Sequence, residues 1–297
     1  MRVGVTGATG LLGTHLIPAL LEAGHEVLAL ARGRAERVLP EWKGVEWIDG
    51  DLRDASALKV LAEQTASVIH GAFDPVEQNF VASNLVGSIQ LLEACTQSST
   101  QFVFVSSLAI YGDDLTQDPL GQRYARDVDY PLWPREFYGA YKAAVEKLVH
   151  ASAVSMGLNA CSFRLGWVLG ARPDWSRNAL APLVDEALES GELRTRKGGF
   201  VLSVQDAARV LARAVGDESL RATRWNVFDR WLDFGTLAPV LAELLARPVR
   251  NTAEPCPRPE NPIESGDLHE RFGPFSTEVH VRDLLATLIA RREETKT

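Results

Sequence analysis

The chain opens with Val3-Gly4-Val5-Thr6-Gly7-Ala8-Thr9-Gly10-Leu11-Leu12-Gly13-Thr14-His15-Leu16, and the predicted fold follows from this segment. Residues 3–5 are a short apolar run that predicts a buried strand, and three glycines follow at the spacing Gly7-x-x-Gly10-x-x-Gly13. Leucines at helical spacing come next and predict a helix. Because glycine permits a tight turn and a close backbone approach, amide groups at the helix start can point at a pyrophosphate. A glycine-rich turn that binds nothing is the alternative, so the rest of the chain has to decide.

The totals of the 297-residue chain restrict its class. A hydrophobic content of 46% and a charged content of 24% are typical of soluble globular proteins. A net charge of −8 without a basic block argues against nucleic acid as a partner, and we expect a small-molecule substrate instead. The three cysteines lack metal-ligand spacing, which predicts buried thiols in a reducing compartment and no metal site. No apolar run reaches the roughly 18 residues of a membrane span, so we predict a cytoplasmic protein without a membrane partner.

Strands and helices alternate from residue 3 to residue 105. Short apolar runs predict five strands, at residues 3–5, 26–31, 45–48, 67–70 and 102–105. Between them lie helical patterns, one of which begins after Asp54 or Ser56 as its predicted cap and another of which covers residues 80–95. The near-continuous apolar strands predict burial on both faces of a parallel sheet. The predicted fold class is therefore α/β, a Rossmann-type doubly wound parallel sheet with a smaller C-terminal substrate lobe.

The rest of the chain divides between the sheet and this lobe. Further helices are predicted at residues 138–156, 179–188, 206–215, 237–245 and 281–292, with strands at 160–164 and 200–204. We assign residues 1–170 to an NAD(P)-binding Rossmann domain, to which residues 200–230 return. Residues 171–199 and 231–297 form the predicted substrate-binding lobe, over the strand ends where open α/β sheets bind ligands.

One pair of side chains suggests acid–base chemistry. Tyr138 and Lys142 are four residues apart, so in a helix they lie on one face. An ammonium beside a phenol favours the phenolate, which predicts a lowered pKa for Tyr138 and an acid–base role. Ser106 and Ser107 stand where the fifth strand ends, and a serine there can hold a substrate oxygen near the phenol. A chance Tyr–Lys pair and serines that merely cap a strand end remain the alternatives.

Together these residues resemble a known family. The sequence resembles the extended branch of the short-chain dehydrogenase/reductase superfamily, the NAD-dependent epimerase/dehydratase family, over roughly residues 1–250. The matching motifs, beyond the opening glycines, are Gly50-Asp51-Leu52-Arg53-Asp54, Val68-Ile69-His70, Asn84-Leu85-Val86-Gly87-Ser88, Leu91-Leu92-Glu93-Ala94, Val105-Ser106-Ser107-Leu108-Ala109-Ile110-Tyr111-Gly112, Tyr138-x-x-x-Lys142-x-x-x-Glu146, Val204-Gln205-Asp206-Ala207-Ala208 and Trp225-Asn226-Val227.

The resemblance implies hydride exchange between a nicotinamide and a substrate carbon that carries OH or C=O. By similarity, Tyr138 is the acid–base, Lys142 lowers its pKa and binds the nicotinamide ribose, and Ser107 is the catalytic serine. The implied cofactor-binding residues are Gly7, Thr9, Gly10, Leu11, Leu12, Gly13, Arg32, Arg34, Asp51, Leu52, Gly71, Ala72, Phe73, Ser106, Tyr138, Lys142 and Leu165. A homodimer that pairs through helices 80–95 and 138–156 is also implied.

The end of the second strand bears on which dinucleotide binds. A carboxylate there favours NAD through the ribose 2′-OH, whereas an arginine pairs with the 2′-phosphate of NADP. The family's usual acid is replaced by Ala31, and Arg32 follows with Arg34 nearby. We therefore predict NADP, with NAD as the alternative if the arginines are merely solvated.

Two departures from the family pattern concern the substrate. Nucleotide-sugar members typically have an asparagine that helps hold the diphosphate, and Trp167 stands at that position. The arginine that often precedes the late Val-x-Asp motif is also absent, although Arg194, Arg196 or Lys197 could substitute. The prediction is an oxidoreductase or epimerase acting on a sugar-like secondary alcohol or ketone, with a nucleotide sugar possible. The alternatives are a small-carbonyl reductase using NADPH and a catalytically silent NADP-binding sensor, which the Tyr–Lys pair disfavours.

Overall fold

The computed structural model describes residues 1–33, 42–112, 127–172, 178–259 and 263–294. Its strands are β1 (Arg2–Thr6), β2 (Glu26–Ala31), β3 (Val45–Asp49), β4 (Ser67–His70), β5 (Gln101–Ser107), β6 (Ala160–Leu165), β7 (Trp167–Leu169), β8 (Glu192–Leu193), β9 (Gly198–Ser203), β10 (Arg224–Val227), β11 (Arg230–Asp233) and β12 (Arg250–Asn251). Its α-helices are α1 (Gly13–Glu22), α2 (Ala55–Glu63), α3 (Gly87–Ser98), α4 (Phe137–Ser155), α5 (Ala181–Ser190), α6 (Val204–Arg213), α7 (Ala238–Leu244), α8 (Leu268–Phe272) and α9 (Thr277–Glu294).

Seven of the described strands form one parallel sheet in the order β10-β6-β5-β4-β1-β2-β3. Alternate side chains of its strands enter two hydrophobic cores, one on each face. Helices α1 and α6 cover one face, and α2, α3 and α4 cover the other. The prediction of a doubly wound parallel sheet is confirmed, because every central strand is buried on both sides.

Local signals explain several element boundaries. Asp54 caps α2 by accepting hydrogen bonds from the amides of Ser56 (3.0 Å) and Ala57 (3.1 Å), so Asp54 is the cap. The helix predicted at residues 80–95 begins as a π-helical segment, Phe80–Val86, before α3 continues it. At Gly87 the helix lies so close to the Leu52 carbonyl that a Cβ would overlap it. This contact fixes Leu52 at the carboxyl edge of the sheet.

A second group of elements surrounds β7, which pairs with β9, while β9 in turn pairs with β11. Helices α5, α7 and α9 share a separate hydrophobic core with Val201 and Phe234. Residues 200–230, which we predicted to return to the main domain, divide between the two groups. Helix α6 packs on α1 and β10 joins the large sheet, whereas β9 pairs with β7. The proposed division into domain and lobe stays a prediction. No helix in the described part of the chain is long and apolar enough to cross a membrane.

Candidate active site

The glycine-rich turn packs directly against the backbone that follows β4. Gly7 has a φ of +77°, and a Cβ on it would come within 2.9 Å of backbone atoms of Gly71 and Ala72. A Cβ on Gly13 would overlap the carbonyl oxygens of Gly7 and Ala8. The turn brings Thr9, Leu11 and Leu12 to the start of α1, which has no side-chain cap at Leu12. Backbone amides in such an uncapped first turn are the groups that bind a phosphate.

A buried polar chain fixes the neighbouring segment. Thr6 Oγ1 forms a 2.7 Å hydrogen bond with His70 Nδ1 and accepts another from the Ala72 amide at 3.2 Å. His70 Nε2 bonds Ser88 Oγ at 2.7 Å. Burial, and then the Lys142 charge, lowers the pKa of His70 to about 3, so the ring is neutral. These contacts hold Gly71 and Ala72 beside the glycine turn, and we did not predict them from the sequence.

The residues predicted as catalytic meet at the carboxyl end of β5. Ser107 is hydrogen-bonded to the Tyr138 phenol, and its hydroxyl also accepts from the Ala109 amide at 3.2 Å. Lys142 is 2% exposed, and its Nζ donates to the Val105 carbonyl oxygen at 2.6 Å. The same Nζ lies 5.8 Å from the centre of the Tyr138 ring. The predicted grouping of Ser107, Tyr138 and Lys142 is thus present in the structure.

Burial dominates the ionisation of this group. The pKa of Tyr138 is raised by burial of the phenol, and the Ser107 hydrogen bond opposes this rise only in part. The expectation that Tyr138 has a lowered pKa is therefore wrong for the chain alone, since Lys142 bonds the Val105 carbonyl rather than the phenol. Burial also lowers the pKa of Lys142 from 10.5 to about 7. The amine changes charge near neutral pH, whereas the phenol stays protonated there.

We expect Lys142→Met to raise the free energy of unfolding at pH 7 by about 2 kcal/mol, because it removes a charge whose burial opposes folding. The folded pKa lies below the unfolded one, so the folded state binds fewer protons and wild-type stability rises between pH 7 and 10.5. Urea unfolding at pH 7 and pH 10 checks this. A variant that is no more stable than wild type at pH 7, or whose advantage does not shrink at pH 10, contradicts it.

Three further predicted residues surround this group. The Phe73 ring meets the Tyr138 ring edge-on at 4.9 Å and is 37% exposed. Leu165 is buried at the end of β6, beside Ser107 in the sheet register. Ser106 is 2% exposed, and its hydroxyl has no hydrogen-bond partner among the described residues. An orphaned hydroxyl at a sheet edge indicates a place where a ligand would supply the partner.

Two residues implied to bind the cofactor, Arg32 and Asp51, line a separate cleft of about 750 Å³, which we call the adenosine cleft. Its lining residues are Arg32, Gly33, Asp49, Gly50, Asp51, Arg53, Asp54, Ala55 and Ser56. Arg53 bonds both carboxylate oxygens of Asp51, at 3.3 and 3.1 Å from its Nε, and holds the pKa of Asp51 below its usual value. Arg32 Nη1 lies 3.0 Å from Oδ2 of Asp74. Arg34 lies outside the described residues. Asp74 was missed in the sequence, where its only signal is an acid four residues after His70.

The substrate side contains the residues that depart from the family pattern. Trp167 is 47% exposed, and its ring stacks on Phe234 with centroids 5.2 Å apart. Of the candidate replacements for the missing arginine, Arg194 pairs with Glu192 at 3.0 Å and Arg196 pairs with Glu254. Both arginines are thus engaged with neighbouring carboxylates on an exposed surface.

Sequence comparison identifies the family. Residues 3–227 match the NAD dependent epimerase/dehydratase family. The chain belongs to this family. Its similar relatives include UDP-glucuronate 4-epimerase 3 of Arabidopsis thaliana, 32% identical over 194 residues that make up 57% of this chain and 43% of that protein. UDP-glucose 4-epimerase of Lacticaseibacillus casei is 32% identical over 189 residues, 59% of this chain and 54% of that protein. The chain spans about half the length of the curated relatives it matches.

Solved structures of similar fold cover the whole chain. UDP-glucose 4-epimerase from Thermotoga maritima, solved with UDP-glucose, has a TM-score of 0.77 at 19% identity and covers 100% of both chains. dTDP-glucose 4,6-dehydratase from Bacillus anthracis, solved with NAD, has a TM-score of 0.78 at 16% identity, with 99% of this chain and 98% of that chain covered. At these identities the likeness establishes the fold.

The described residues fit a dinucleotide on physical grounds. The glycine turn leaves a cradle that a Cβ at position 7 or 13 would fill. The orphaned Ser106 hydroxyl belongs to the residue that precedes Ser107 on β5, and the cleft around Asp51 has room for a nucleoside. No cluster of three or more His, Cys, Asp or Glu that could hold a metal ion occurs in the ranges described.

Proposed function

We propose that this protein is a nicotinamide-dependent oxidoreductase or epimerase of the extended short-chain dehydrogenase type. It transfers a hydride at a secondary alcohol or ketone carbon of a sugar-like substrate. The observation that carries this proposal is the grouping of Ser107, Tyr138 and Lys142 at the carboxyl ends of the parallel strands, where the glycine turn also lies. A silent sensor protein would have no need for a buried phenol with such a partner.

The roles of the residues follow from their contacts. Ser107 can hydrogen-bond the substrate oxygen and hold it against the Tyr138 phenol, which supplies a proton in reduction and accepts one in oxidation. A raised pKa keeps Tyr138 protonated and ready as an acid. Lys142 has a pKa of about 7. Its Nζ lies 5.8 Å from the centre of the Tyr138 ring and 4.8 Å from the centre of the Phe104 ring. When bound, the nicotinamide would accept or return the hydride.

We propose a nucleotide sugar as the first substrate class to test, because relatives named for UDP-glucuronate and UDP-glucose match this chain. Trp167 supports the second candidate, a small-carbonyl reductase, because an exposed aromatic ring replaces a polar diphosphate ligand. Nucleotide sugars are incubated with each oxidised cofactor and assayed for epimerised products. Free sugars and simple ketones are incubated with NADPH or NADH and assayed for cofactor oxidation. Turnover of ketones alone would favour the reductase, and cofactor binding without any turnover would favour the sensor.

We further propose that NADP is the preferred cofactor. The guanidinium of Arg32 lines the adenosine cleft and can pair with a 2′-phosphate. The NAD bound in the similar dehydratase keeps NAD as the alternative. Fluorescence titration with NADPH and NADH tests this. Tighter binding of NADH, or binding of neither, would defeat the NADP preference.

A second copy of this chain is the proposed protein partner. Apolar side chains remain exposed along the π-helical segment and α4, with Val81 at 58%, Phe137 at 80% and Leu148 at 41%. A dimer that packs these helices together would cover them. Sedimentation is expected to show a dimer, and a monomer at all concentrations would contradict it.

Free thiols at Cys95, Cys161 and Cys256 support our proposal of a cytoplasmic location.

A further inference from the structure

We propose that Asp74 is a specificity-determining residue, which restrains Arg32 so that the adenosine cleft accepts both NADPH and NADH. The inference rests on the proposed function, since it needs a dinucleotide in the cleft. It concerns Asp74, a residue outside the cleft lining that acts through its ion pair with Arg32.

Asp74 is held in place independently of Arg32. Its carboxylate accepts a 3.1 Å hydrogen bond from the Val76 amide and a 3.5 Å one from Ser83 Oγ. Asn84, which is fully buried, clamps its backbone on both sides: the Asn84 amide oxygen accepts from the Asp74 amide, and its nitrogen donates to the Asp74 carbonyl, both at 2.8 Å. The loop after β4 and the π-helical segment therefore fix this carboxylate.

Arg32 is the adaptable partner in this pair. The Asp74 side chain is 6% exposed, whereas that of Arg32 is 48% exposed and follows β2 directly. A buried carboxylate without its cation is costly, so the guanidinium is drawn to Asp74 at 3.0 Å. The position of Arg32 in the cleft is thus set by Asp74, whose negative charge also opposes that of Arg32.

The charges of the cleft point the same way. Its described lining has two arginines, Arg32 and Arg53, and three acids, Asp49, Asp51 and Asp54. Arg53 is already paired with Asp51, and Arg32 is paired with Asp74, which lies outside the cleft lining. A 2′-phosphate is attracted by Arg32 and repelled by the surrounding carboxylates. The carboxylates thus weaken the attraction between Arg32 and the 2′-phosphate without abolishing it, which leaves the cleft able to take a 2′-hydroxyl as well.

Removing the Asp74 charge has two opposed effects on a bound 2′-phosphate. The repulsion disappears and the Arg32 charge is no longer offset, but Arg32 also loses a contact that orients it. The lost repulsion and the stronger attraction of an Arg32 that no longer faces a carboxylate together outweigh the lost orientation of one half-exposed side chain. We therefore expect Asp74→Asn to raise the NADPH-to-NADH affinity ratio about tenfold.

The test is fluorescence titration of the full chain with NADPH and with NADH. Wild type is expected to bind NADPH more tightly than NADH by no more than about tenfold, and Arg32→Gln to move the ratio toward NADH by less than about tenfold. In the Arg32→Gln background, Asp74→Asn should raise the ratio by less than in wild type, because only the direct repulsion between Asp74 and the 2′-phosphate is then removed. Asp129→Asn is the matched control: Asp129 also pairs with an arginine, Arg224, but on β10 at the opposite edge of the sheet.

The outcomes separate the inference from the proposed function. Wild type that binds neither dinucleotide refutes the proposed function. Wild type that binds both, with an Asp74→Asn ratio that is unchanged or moved toward NADH, overturns the role of Asp74. Where the asparagine variant fails to fold, Asp74→Ser replaces it. A loss of NADPH affinity of about a hundredfold or more in Arg32→Gln also overturns the inference, because a restrained arginine cannot contribute so much.

Discussion

Replacing Tyr138 by phenylalanine is expected to reduce turnover about 10³-fold while leaving NADPH and NADH affinities unchanged within about threefold. The substitution removes the hydroxyl that is hydrogen-bonded to Ser107 and keeps the ring that packs edge-on against Phe73 at 4.9 Å. The proton donor for the substrate oxygen is lost, whereas the aromatic packing stays. Initial-rate kinetics and fluorescence titration on the same preparations measure the two effects.

Tyr141→Phe is the matched control for this prediction. The Tyr141 hydroxyl lies 3.3 Å from Ser88 Oγ in the buried polar chain, and the Tyr141 ring packs against Phe80. Among the described residues, no hydrogen bond joins the Tyr141 hydroxyl to Ser107. We expect Tyr141→Phe to retain turnover within about threefold, because it loses one neutral hydrogen bond. Retained turnover in Tyr138→Phe, or equal losses in the two variants, would remove Tyr138 from the mechanism.

Breaking the buried ion pair between Arg164 and Glu146 is expected to cost about 3–5 kcal/mol of unfolding free energy. Both side chains are 1% exposed, and Arg164 Nε bonds the two Glu146 oxygens at 3.0 and 3.1 Å. Arg164 also donates to the Tyr111 hydroxyl and to the Val128 carbonyl oxygen. Arg164→Met leaves the Glu146 carboxylate buried without its cation, which explains the size of the expected loss.

Urea unfolding of single and double variants measures this cost. Arg164→Met combined with Glu146→Leu should recover much of the loss, because two apolar side chains leave no unpaired charge. Arg282→Met, which breaks an exposed pair with Glu243, should cost no more than about 1 kcal/mol. A buried pair that proves no more costly to break than this exposed pair would contradict our account of it.

The same ion pair also positions the residues that we propose as catalytic. Helix α4 carries Tyr138 and Lys142, and Glu146 lies one turn after Lys142 on the same helix. Arg164 belongs to β6, next to β5, which ends in Ser107. The pair therefore fixes α4 against β6, the neighbour of the strand that ends in Ser107.

The sheet and the grouping of Ser107, Tyr138 and Lys142 were predictable because local sequence encodes them. Apolar runs of four to six residues marked β2 and β4 with their exact bounds at residues 26–31 and 67–70. Asp54 and Ser56 were recognisable as candidate helix caps from their side-chain chemistry, and Asp54 is the cap in the structure. Tyr138 and Lys142 fall on one helical face through their spacing alone. Each of these signals lies within a few residues of the feature that it predicts.

The contacts that tune the site were not predictable in this way. Arg32 meets Asp74 across 42 residues, and Lys142 meets the Val105 carbonyl across 37. The raised pKa of Tyr138 depends on burial, which the fold creates and a motif does not record. Trp167 was visible as a departure from the family pattern, but its stacking on Phe234 depends on the three-dimensional packing of the lobe. Such properties come from residues distant in sequence.

Isotope transfer tests the central proposal, hydride exchange between a substrate carbon and a nicotinamide, most directly. The secondary alcohol that is turned over fastest in the substrate screen is prepared with deuterium on its reacting carbon and incubated with the full chain and oxidised cofactor. We predict that in wild type the deuterium is found on the nicotinamide or on the reacting carbon of the product, without exchange with water, and that neither labelled species forms with Tyr138→Phe. Loss of the deuterium to water, with none on the cofactor, would contradict the account.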